Sequence, residues 1–289
     1  MPHSRFFVFL GANLRSIQNL YISFKAVRKG FWVIRGQISR KHFLLLALLG
    51  LLLPLAAWWL LSMSDLVEKI FMPSPLDVLK RAFIWFSDES LMADIWISTY
   101  RVFVGFLLSA VLAIPLGVLI GTYQPIKAMF EPLMDLVRYM PAVAFIPLVM
   151  LWVGIEESSK IAIIFIGTFF QMVLMVAEDI RRVPNNQIEA AQTMGANSNE
   201  IVSLVIIQSA EPALLDTLRV TMGWAWTYLV VAELVAANSG LGYSILRAQR
   251  FMQTDKIFAG IILIGFIGLA IDQLFRFIHR KSFPWLYIS

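Results

Sequence analysis

The sequence predicts an all-α membrane protein with about six transmembrane helices and a basic amphipathic helix at its N-terminus. Hydrophobic residues make up 59% of the 289 residues and charged residues only 15%, whereas soluble domains carry about 25% charged residues. Apolar runs long enough to cross a bilayer recur along the chain. Basic residues are concentrated before the first of these runs. These three observations predict a protein embedded in a membrane.

The N-terminal segment, residues 1–42, is basic and amphipathic. Apolar side chains between residues 5 and 38 recur at spacings of three and four, and most basic side chains lie elsewhere on the helix. Such a helix suits an anionic membrane surface, although a partner-binding or solvated basic helix has the same pattern. Residues 1–41 contain no Asp or Glu, so the positive-inside rule predicts a cytoplasmic N-terminus. The basic residues are Arg5, Arg15, Lys25, Arg28, Lys29, Arg35, Arg40 and Lys41.

Several segments are apolar enough to span the hydrocarbon core, which requires roughly 20 helical residues. They are residues 43–61, 95–120, 133–153, 160–177, 214–236 and 257–278. An even number of spans places both termini on one side, and Arg276, Arg280 and Lys281 indicate a cytoplasmic C-terminus. Residues 43–289 are therefore expected to form one transmembrane domain.

The segment between the first two spans, residues 62–94, is rich in acidic residues, as expected for an external loop. Pro73 and Pro75 prevent a helix from continuing out of the first span. Ser74 or Asp77 is placed to cap a short new helix. The external segment is therefore expected to be partly helical.

Two predicted spans carry residues that alter helix packing. Gly117 and Gly121 permit a neighbouring helix to approach closely. Pro132, Pro141 and Pro147 interrupt the third span. A broken helix at membrane depth is tolerated where it faces protein or a watery cavity, so this span either lines a pathway or packs as a kinked helix.

The sequence excludes several kinds of chemistry. It contains no Gly-Lys dipeptide, which excludes the phosphate-binding G-x-x-x-x-G-K-[ST] loop. It has no Cys, and His3, His42 and His279 lack ligand-spaced partners; we expect these histidines to be solvated or close to lipid headgroups. We therefore predict no catalytic residue, no metal site and no nucleic-acid partner.

Ionisable residues inside the predicted spans stand out, because a charge at the bilayer centre costs about 2.5 to 3.5 kcal/mol on insertion scales. They are Arg101, Arg138, Arg219, Glu233 and Asp272. Snorkelling to the interface or pairing between helices is an alternative explanation for Arg101, Arg219 and Asp272. For Arg138 and Glu233 the alternative is pairing with neighbours that fixes the helix packing.

A polar insert, residues 178–213, separates the fourth and fifth spans. Pro184 begins a short helix of good propensity, and Gly195 supplies the left-handed residue that ends it. A second helix begins after Asn197 or Ser198, with Glu200 in its first turn. The first helix presents small residues beside an acidic edge, a pattern typical of a docking element.

The insert contains "EAAQTMGA", Glu189 to Ala196, which resembles the EAA signature of permease subunits of ATP-binding-cassette (ABC) importers. The stretches "MPSPLDVLKRAF", "STYRVFVGFLLSAVLAIPLGVLIG", "MPAVAFIPLVMLWVGI" and "LRVTMGWAWTYLVVAELVAANSGLGYSI" resemble the nitrate, sulfonate, taurine and bicarbonate branch. The likeness covers roughly residues 72–272. One departure is that Val205, Ile207 and Gln208 stand where the family has a hydrophobic-x-Leu-Pro element, and Gln208 in place of Pro is expected to lengthen the second loop helix.

The resemblance implies a type I ABC importer permease fold in a bacterial inner membrane. In that family the loop docks into a separate ATPase subunit that binds ATP and Mg²⁺, so the chain itself needs no cofactor and is not an enzyme. The implied coupling residues are Glu189, Ala190, Ala191, Met194, Gly195 and Ala196. Further implied partners are a periplasmic or lipid-tethered solute-binding protein, a second permease copy and membrane lipid.

The resemblance also implies a translocation pathway for a small anion such as nitrate, bicarbonate or a sulfonate. Candidate pathway residues are Arg101, Arg138, Met140, Pro141, Arg219, Trp224 and Glu233. Two other functions compete with this one: a channel or secondary transporter that needs no ATP, and a membrane scaffold that docks a soluble partner.

Overall fold

The computed structural model describes residue 36 and residues 38–64, 66–88 and 91–287. Every regular element among them is helical, which confirms the all-α prediction. The helices are α1 (Arg40–Met63), α2 (Pro75–Asp88), α3 (Leu91–Thr122), α4 (Gln124–Arg138), α5 (Ile146–Val153), α6 (Glu157–Arg181), α7 (Asn185–Thr193), α8 (Ser198–Glu200), α9 (Ile207–Ala236), α10 (Leu241–Arg250) and α11 (Thr254–Ser282). Five described helices are long and apolar enough to cross a membrane, or six if one bent pair is a single span. The predicted number of about six is confirmed.

Helix α1 belongs to a first unit of the chain that ends at Met63. It contains the first predicted span and is apolar on all sides, with Leu51 68% and Leu60 69% exposed. A helix of this kind is suited to hydrocarbon, because its backbone groups bond within the helix. The predicted amphipathic helix before it lies outside the described residues, apart from residues 36 and 38.

Helices α3 and α6 form the centre of the second unit, residues 64–289. Small residues recur every four positions along α3, at Gly105, Ser109, Ala113, Gly117 and Gly121. A Cβ atom added to Gly117 would lie 2.6 Å from the Cβ of Val176, and one added to Gly121 would lie 2.7 Å from the Cβ of Ile180. The close helix approach predicted from these two glycines is confirmed, and it buries the facing side chains of α6.

Helix α2 is the short helix expected in the segment between the first two spans. The amide of Asp77 donates to the Ser74 hydroxyl at 3.2 Å, and that hydroxyl donates to the Asp77 carboxylate at 2.7 Å. Ser74 therefore caps the helix, and Pro75 occupies the first position, where no amide hydrogen is needed. The same hydroxyl bond holds the pKa of Asp77 below its usual value.

The third predicted span, residues 133–153, is broken, as its prolines indicated. Helix α4 ends at Arg138, a 3₁₀ turn follows at Ala142–Phe145, and the axis bends by 89° before α5. Pro141 causes the break because it has no amide hydrogen to donate and restricts the preceding residue to extended conformations.

Candidate functional site

The polar insert folds as a helix, a sharp turn and a second helix, as predicted. Helix α7 ends in a Schellman motif, in which the amide of Ala196 donates to the carbonyl of Ala191 at 3.0 Å and the amide of Gly195 donates to that of Gln192 at 3.0 Å. Gly195 has a φ of 89°. Glycine adopts this left-handed conformation without a Cβ penalty, so Gly195 fixes the direction in which the chain leaves α7.

The second loop helix begins at a capping box, which confirms the predicted cap. The amide of Glu200 donates to the Asn197 side chain at 3.1 Å, and the amide of Asn197 donates to the Glu200 carboxylate at 2.8 Å. From Ser198 the helix continues through a π-helical segment, Ile201–Ile206, into α9. Gln208 therefore lies inside one continuous helix, which agrees with the lengthening expected from the missing proline.

The residues predicted to contact an ATPase divide between two faces of the loop. Those exposed are Glu189, Ala190, Met194 and Gly195. Ala191 is only 4% exposed and Ala196 packs against the core, so these two anchor the loop to the membrane domain. Met194 is 82% exposed, so its polarizable apolar side chain is accessible to a partner.

A cavity of about 240 Å³ lies between the α4–α5 break and helices α6 and α9. Its lining residues are Arg138, Met140, Ala142, Ile166, Gly167, Phe170, Gln171, Trp224, Thr227 and Tyr228. The Arg138 guanidinium lies 3.1 Å from the Asp135 carboxylate and 4.9 Å from the centre of the Tyr139 ring. Three of the predicted pathway residues, Arg138, Met140 and Trp224, thus share one cavity, while Pro141 lies in the adjoining break.

Two other predicted pathway residues, Arg101 and Glu233, lie outside that cavity in a buried ion pair at the opposite end from the polar insert. Both side chains are 0% exposed, and Arg101 Nη1 lies 2.7 Å from Glu233 Oε1. Arg101 also donates two bonds to Glu157, at 2.5 and 2.7 Å, and one to the carbonyl of Ser239 at 2.8 Å. This geometry favours the alternative of pairing between helices, because Arg101 joins α3 to α6 and α9.

The same cluster holds the N-terminus of α10. The amide of Gly242 donates to Glu233 at 2.7 Å, the amide of Leu241 to the Ser98 hydroxyl at 2.9 Å, and the amide of Gly240 to Asp94 at 2.9 Å. These amides have no partner within their own helix, so buried side chains of α3 and α9 take the place of a local cap.

Arg219 and Asp272, the remaining ionisable candidates, pair with each other between α9 and α11 at a distance of 2.5 Å. Asp216 lies 3.2 Å from Arg219, and its other oxygen lies 3.8 Å from His279. Of the two states expected of His279, the solvated one is wrong, since the side chain is only 11% exposed and its Nδ1 lies 2.8 Å from the Tyr287 hydroxyl. The chain turns back after α11 and packs its last aromatic residues against this ring.

Sequence reasoning missed several members of these sites. Asp94 falls in the predicted external segment and Glu157 between the predicted third and fourth spans, and each proves to be in the first turn of a longer helix. Gln171 and Tyr228 lie in the cavity wall, but their positions in the sequence carry no signal of it. Among the described residues, no group of three His, Cys, Asp or Glu is placed to hold a metal ion.

The sequence matches the family described as the binding-protein-dependent transport system inner membrane component, over residues 113–283. A probable ABC transporter permease of Brucella melitensis is 36% identical over 240 residues, which cover 83% of this chain and 96% of the relative. A putative aliphatic sulfonates transport permease of Bacillus subtilis is 35% identical, over 82% of this chain and 87% of the relative. The taurine transport system permease of Escherichia coli is 31% identical, over 87% of this chain and 92% of the relative.

Solved structures support the same fold. The inward-facing methionine ABC transporter MetNI superimposes with a TM-score of 0.55 at 24% identity, covering 64% of this chain and 94% of that one. An amino acid ABC transporter superimposes with a TM-score of 0.59 at 15% identity, covering 71% and 97%. The family match, the sequence relatives and the helical architecture agree, and the chain belongs to the ABC importer permeases of the nitrate, sulfonate and taurine branch.

Proposed function

We propose that this chain is the membrane subunit of an ATP-driven importer of a small oxyanion or sulfonate, and that α7 couples it to a separate ATPase. The observation that carries the coupling proposal is the exposed helix α7, whose C-terminal end is capped. A Schellman motif fixes one end of this helix and Ala191 anchors it, while the charged and apolar side chains of Glu189 and Met194 remain exposed. A conformational signal requires a contact of this kind, since ATP biases the membrane domain only through contacts that differ between states.

The cavity beside the α4–α5 break supports the anion as substrate. Arg138 supplies a planar fork of donors suited to an oxyanion, and the partial neutralisation of its charge by Asp135 favours release as well as binding. Gln171, Thr227 and Tyr228 add uncharged hydrogen-bonding groups to the same wall. The sulfonate and taurine permeases among the relatives are consistent with this substrate class.

The proposed orientation places α7 and both termini in the cytoplasm of a bacterium. Arg276, Arg280 and Lys281 lie toward the end of α11, and the contact between His279 and Asp216 places that end near the start of α9 and hence near the polar insert. A concentration of basic residues on this side agrees with the positive-inside rule. The N-terminal segment, residues 1–42, is proposed to lie on the inner leaflet, with anionic lipid as its partner.

Reconstitution in liposomes tests the function. The purified chain is combined with its cognate ATPase and solute-binding protein, and uptake of taurine, nitrate and bicarbonate is measured with and without ATP inside the vesicles. ATP-dependent uptake of one of these anions is expected. Uptake without ATP would instead establish a channel or secondary transporter, and ATPase binding without uptake of any solute would favour a scaffold.

Two variants separate coupling from substrate binding. Glu189→Lys reverses the charge on the outward face of α7 and is expected to reduce ATPase co-purification. Arg138→Gln is expected to retain the ATPase but to raise the anion concentration needed for half-maximal uptake. Arg247→Gln is the matched control for the loss of an exposed arginine, because α10 forms no part of the cavity. Normal uptake by both test variants would contradict the assignment of these two sites.

A further inference from the structure

A second cavity, of about 350 Å³, lies beneath α7. Helix α7 forms one wall, the end of α6 a second, and the π-helical segment Ile201–Ile206 a third. Its volume lies near the lower end of the range of about 300 to 1,000 Å³ found for ligand sites. The described part of the chain therefore leaves a substantial space directly behind the proposed coupling element.

The floor of this cavity is apolar, and two exposed residues at its rim are polar and uncharged. Ile180, Ile201 and Ile206 are 3%, 7% and 5% exposed and contribute to the floor. Gln192 of α7 and Ser198 are exposed lining residues at the rim. An amphipathic group with an apolar body and a hydrogen-bonding end fits this lining.

The single arginine in the lining does not attract an anion. Arg181 Nη1 lies 3.2 Å from a carboxylate oxygen of Glu131, and Nη2 lies 3.3 Å from one of Glu178. Both terminal nitrogens of Arg181 are thus already engaged by carboxylates, so the described lining offers no unpaired cation to a phosphate or nucleotide. The charges around the cavity therefore favour a neutral occupant.

One polar atom in the lining lacks a partner. The hydroxyl oxygen of Thr122 is inaccessible to solvent and has no hydrogen bond among the described residues. A buried hydroxyl without a bond costs free energy that an added donor or acceptor recovers. Thr122 is therefore a candidate contact for the polar end of an occupant.

The wall opposite α7 has an unusual backbone. π-Helical segments are rare and occur mostly at functional sites, and the segment Ile201–Ile206 places Ile201, Val202 and Ile206 in the cavity lining. The extra residue in this turn widens the helix at the point where it faces α7. Ser209, just beyond it, donates a 2.8 Å hydrogen bond to Gln187 and so ties α7 to α9.

We propose that this cavity receives a neutral side chain of the ATPase subunit. The contact would then be reciprocal: α7 docks onto the ATPase, and a side chain of the ATPase enters the cavity beneath α7. Helix α7 contributes both the outward face that contains Glu189 and Met194 and, through Gln192, the rim of the cavity. A protein seated on the outward face continues over this rim. The inference rests on the proposed function, because it assumes that α7 binds the ATPase, and it adds a second contact that holds α7 from behind.

Protection of an introduced thiol tests the proposal in the full chain. The natural sequence has no Cys, so Val202→Cys introduces a single thiol in the cavity wall. The rate of its alkylation by N-ethylmaleimide is measured with and without the ATPase subunit. At least a tenfold slowing is expected when the ATPase binds. Leu204→Cys is the matched control, since Leu204 lies in the same π-helical segment, is 59% exposed and does not line the cavity.

Filling the cavity provides an independent measurement. Val202→Trp is expected to weaken ATPase binding about tenfold, which corresponds to 1.4 kcal/mol, whereas Leu204→Trp leaves the dissociation constant unchanged. Gel filtration of both variants checks that they are folded, and if Val202→Trp aggregates, the alkylation result alone decides.

The outcomes distinguish this inference from the function on which it rests. If the natural chain does not bind the ATPase, the proposed function fails. If it binds and Glu189→Lys abolishes binding, but the thiol at position 202 reacts equally fast in the free and bound states, only the reciprocal contact is overturned. Equal protection at positions 202 and 204 also overturns it, because the shielding would then be general.

Discussion

Replacing Arg101 by Met removes a charge on which three helices depend. The guanidinium is 0% exposed and bonds to Glu157, Glu233 and Ser239. Methionine has a similar length and fills much of the same space without a charge. The Glu233 carboxylate, also 0% exposed, would keep its bonds to Ser98 and Gly242 but lose its cation.

The expected loss follows from this burial. Breaking a buried ion pair by removing one partner costs about 3 to 5 kcal/mol, because the other charge is left uncompensated. At about 2 °C per kcal/mol for a chain of this size, the midpoint of thermal unfolding should fall by roughly 6 to 10 °C. Glu157→Gln should cost much less, since the Glu157 side chain is 45% exposed and water can solvate what remains.

The assay is thermal unfolding of the purified chain in detergent, followed by tryptophan fluorescence at a fixed scan rate. Combining Arg101→Met with Glu233→Gln should recover part of the loss, because the double variant buries no unpaired charge. Arg247→Met, an exposed substitution on α10, is the control for the loss of one arginine. Unfolding of Arg101→Met within 2 °C of the natural chain, or equal destabilisation by Glu157→Gln, would show that the buried ion pair does not stabilise the fold in this way.

Other predictions test the helix packing, the polar insert and the cap of helix α2. Gly117→Val should destabilise the chain by about 1 to 3 kcal/mol through overpacking, measured by the same unfolding assay, whereas Gly223→Ala should not, since nothing lies within 4 Å of its added Cβ. Gly195→Ala should cost about 1 to 2 kcal/mol of backbone strain at its φ of 89° and reduce ATP-dependent uptake. Gly195→Asn should retain more of the uptake than Gly195→Ala. Equal uptake by the natural chain and both variants would contradict the role of the turn. The pKa of Asp77 is lowered in the folded chain. Its stabilising effect should therefore be complete above the ordinary carboxylate pKa and disappear as the pH falls through the lowered value. Asp77→Asn should abolish this pH dependence in unfolding midpoints measured from pH 2 to 6.

Local signals in the sequence predicted the parts of the fold that depend on local chemistry. The cap at Ser74 and the stop at Gly195 follow from hydrogen bonds and backbone preferences within a few residues. The close approach at Gly117 was also predictable, because the absence of a side chain has the same effect on any neighbouring helix. The break at Pro141 was only half predicted, since a missing amide indicates a weak point but the neighbouring contacts set the angle.

The residues of α7 were easier to predict from the sequence than the residues of the buried clusters and cavities. The outward residues of α7 are neighbours in sequence, and the motif identified them together. The sequence did not distinguish the ionisable residues in the spans from one another. In the structure, Arg138 lines a cavity, whereas Arg101 is buried against two carboxylates. Which of these environments an arginine occupies depends on residues of other helices, such as Glu157 and Glu233 at 56 and 132 positions from Arg101, and no local pattern encodes them.

The sequence by itself determined that the chain is a helical membrane protein, where most spans lie, and that a polar helix, turn and helix interrupt them. These properties follow from hydropathy and short-range backbone chemistry, which act within a few turns of helix. Only the tertiary structure decided which charges pair, which residues line the two cavities and how α10 is held by Asp94 and Glu233. Those outcomes depend on side chains brought together from separate helices, where burial makes the choice of partner energetically decisive.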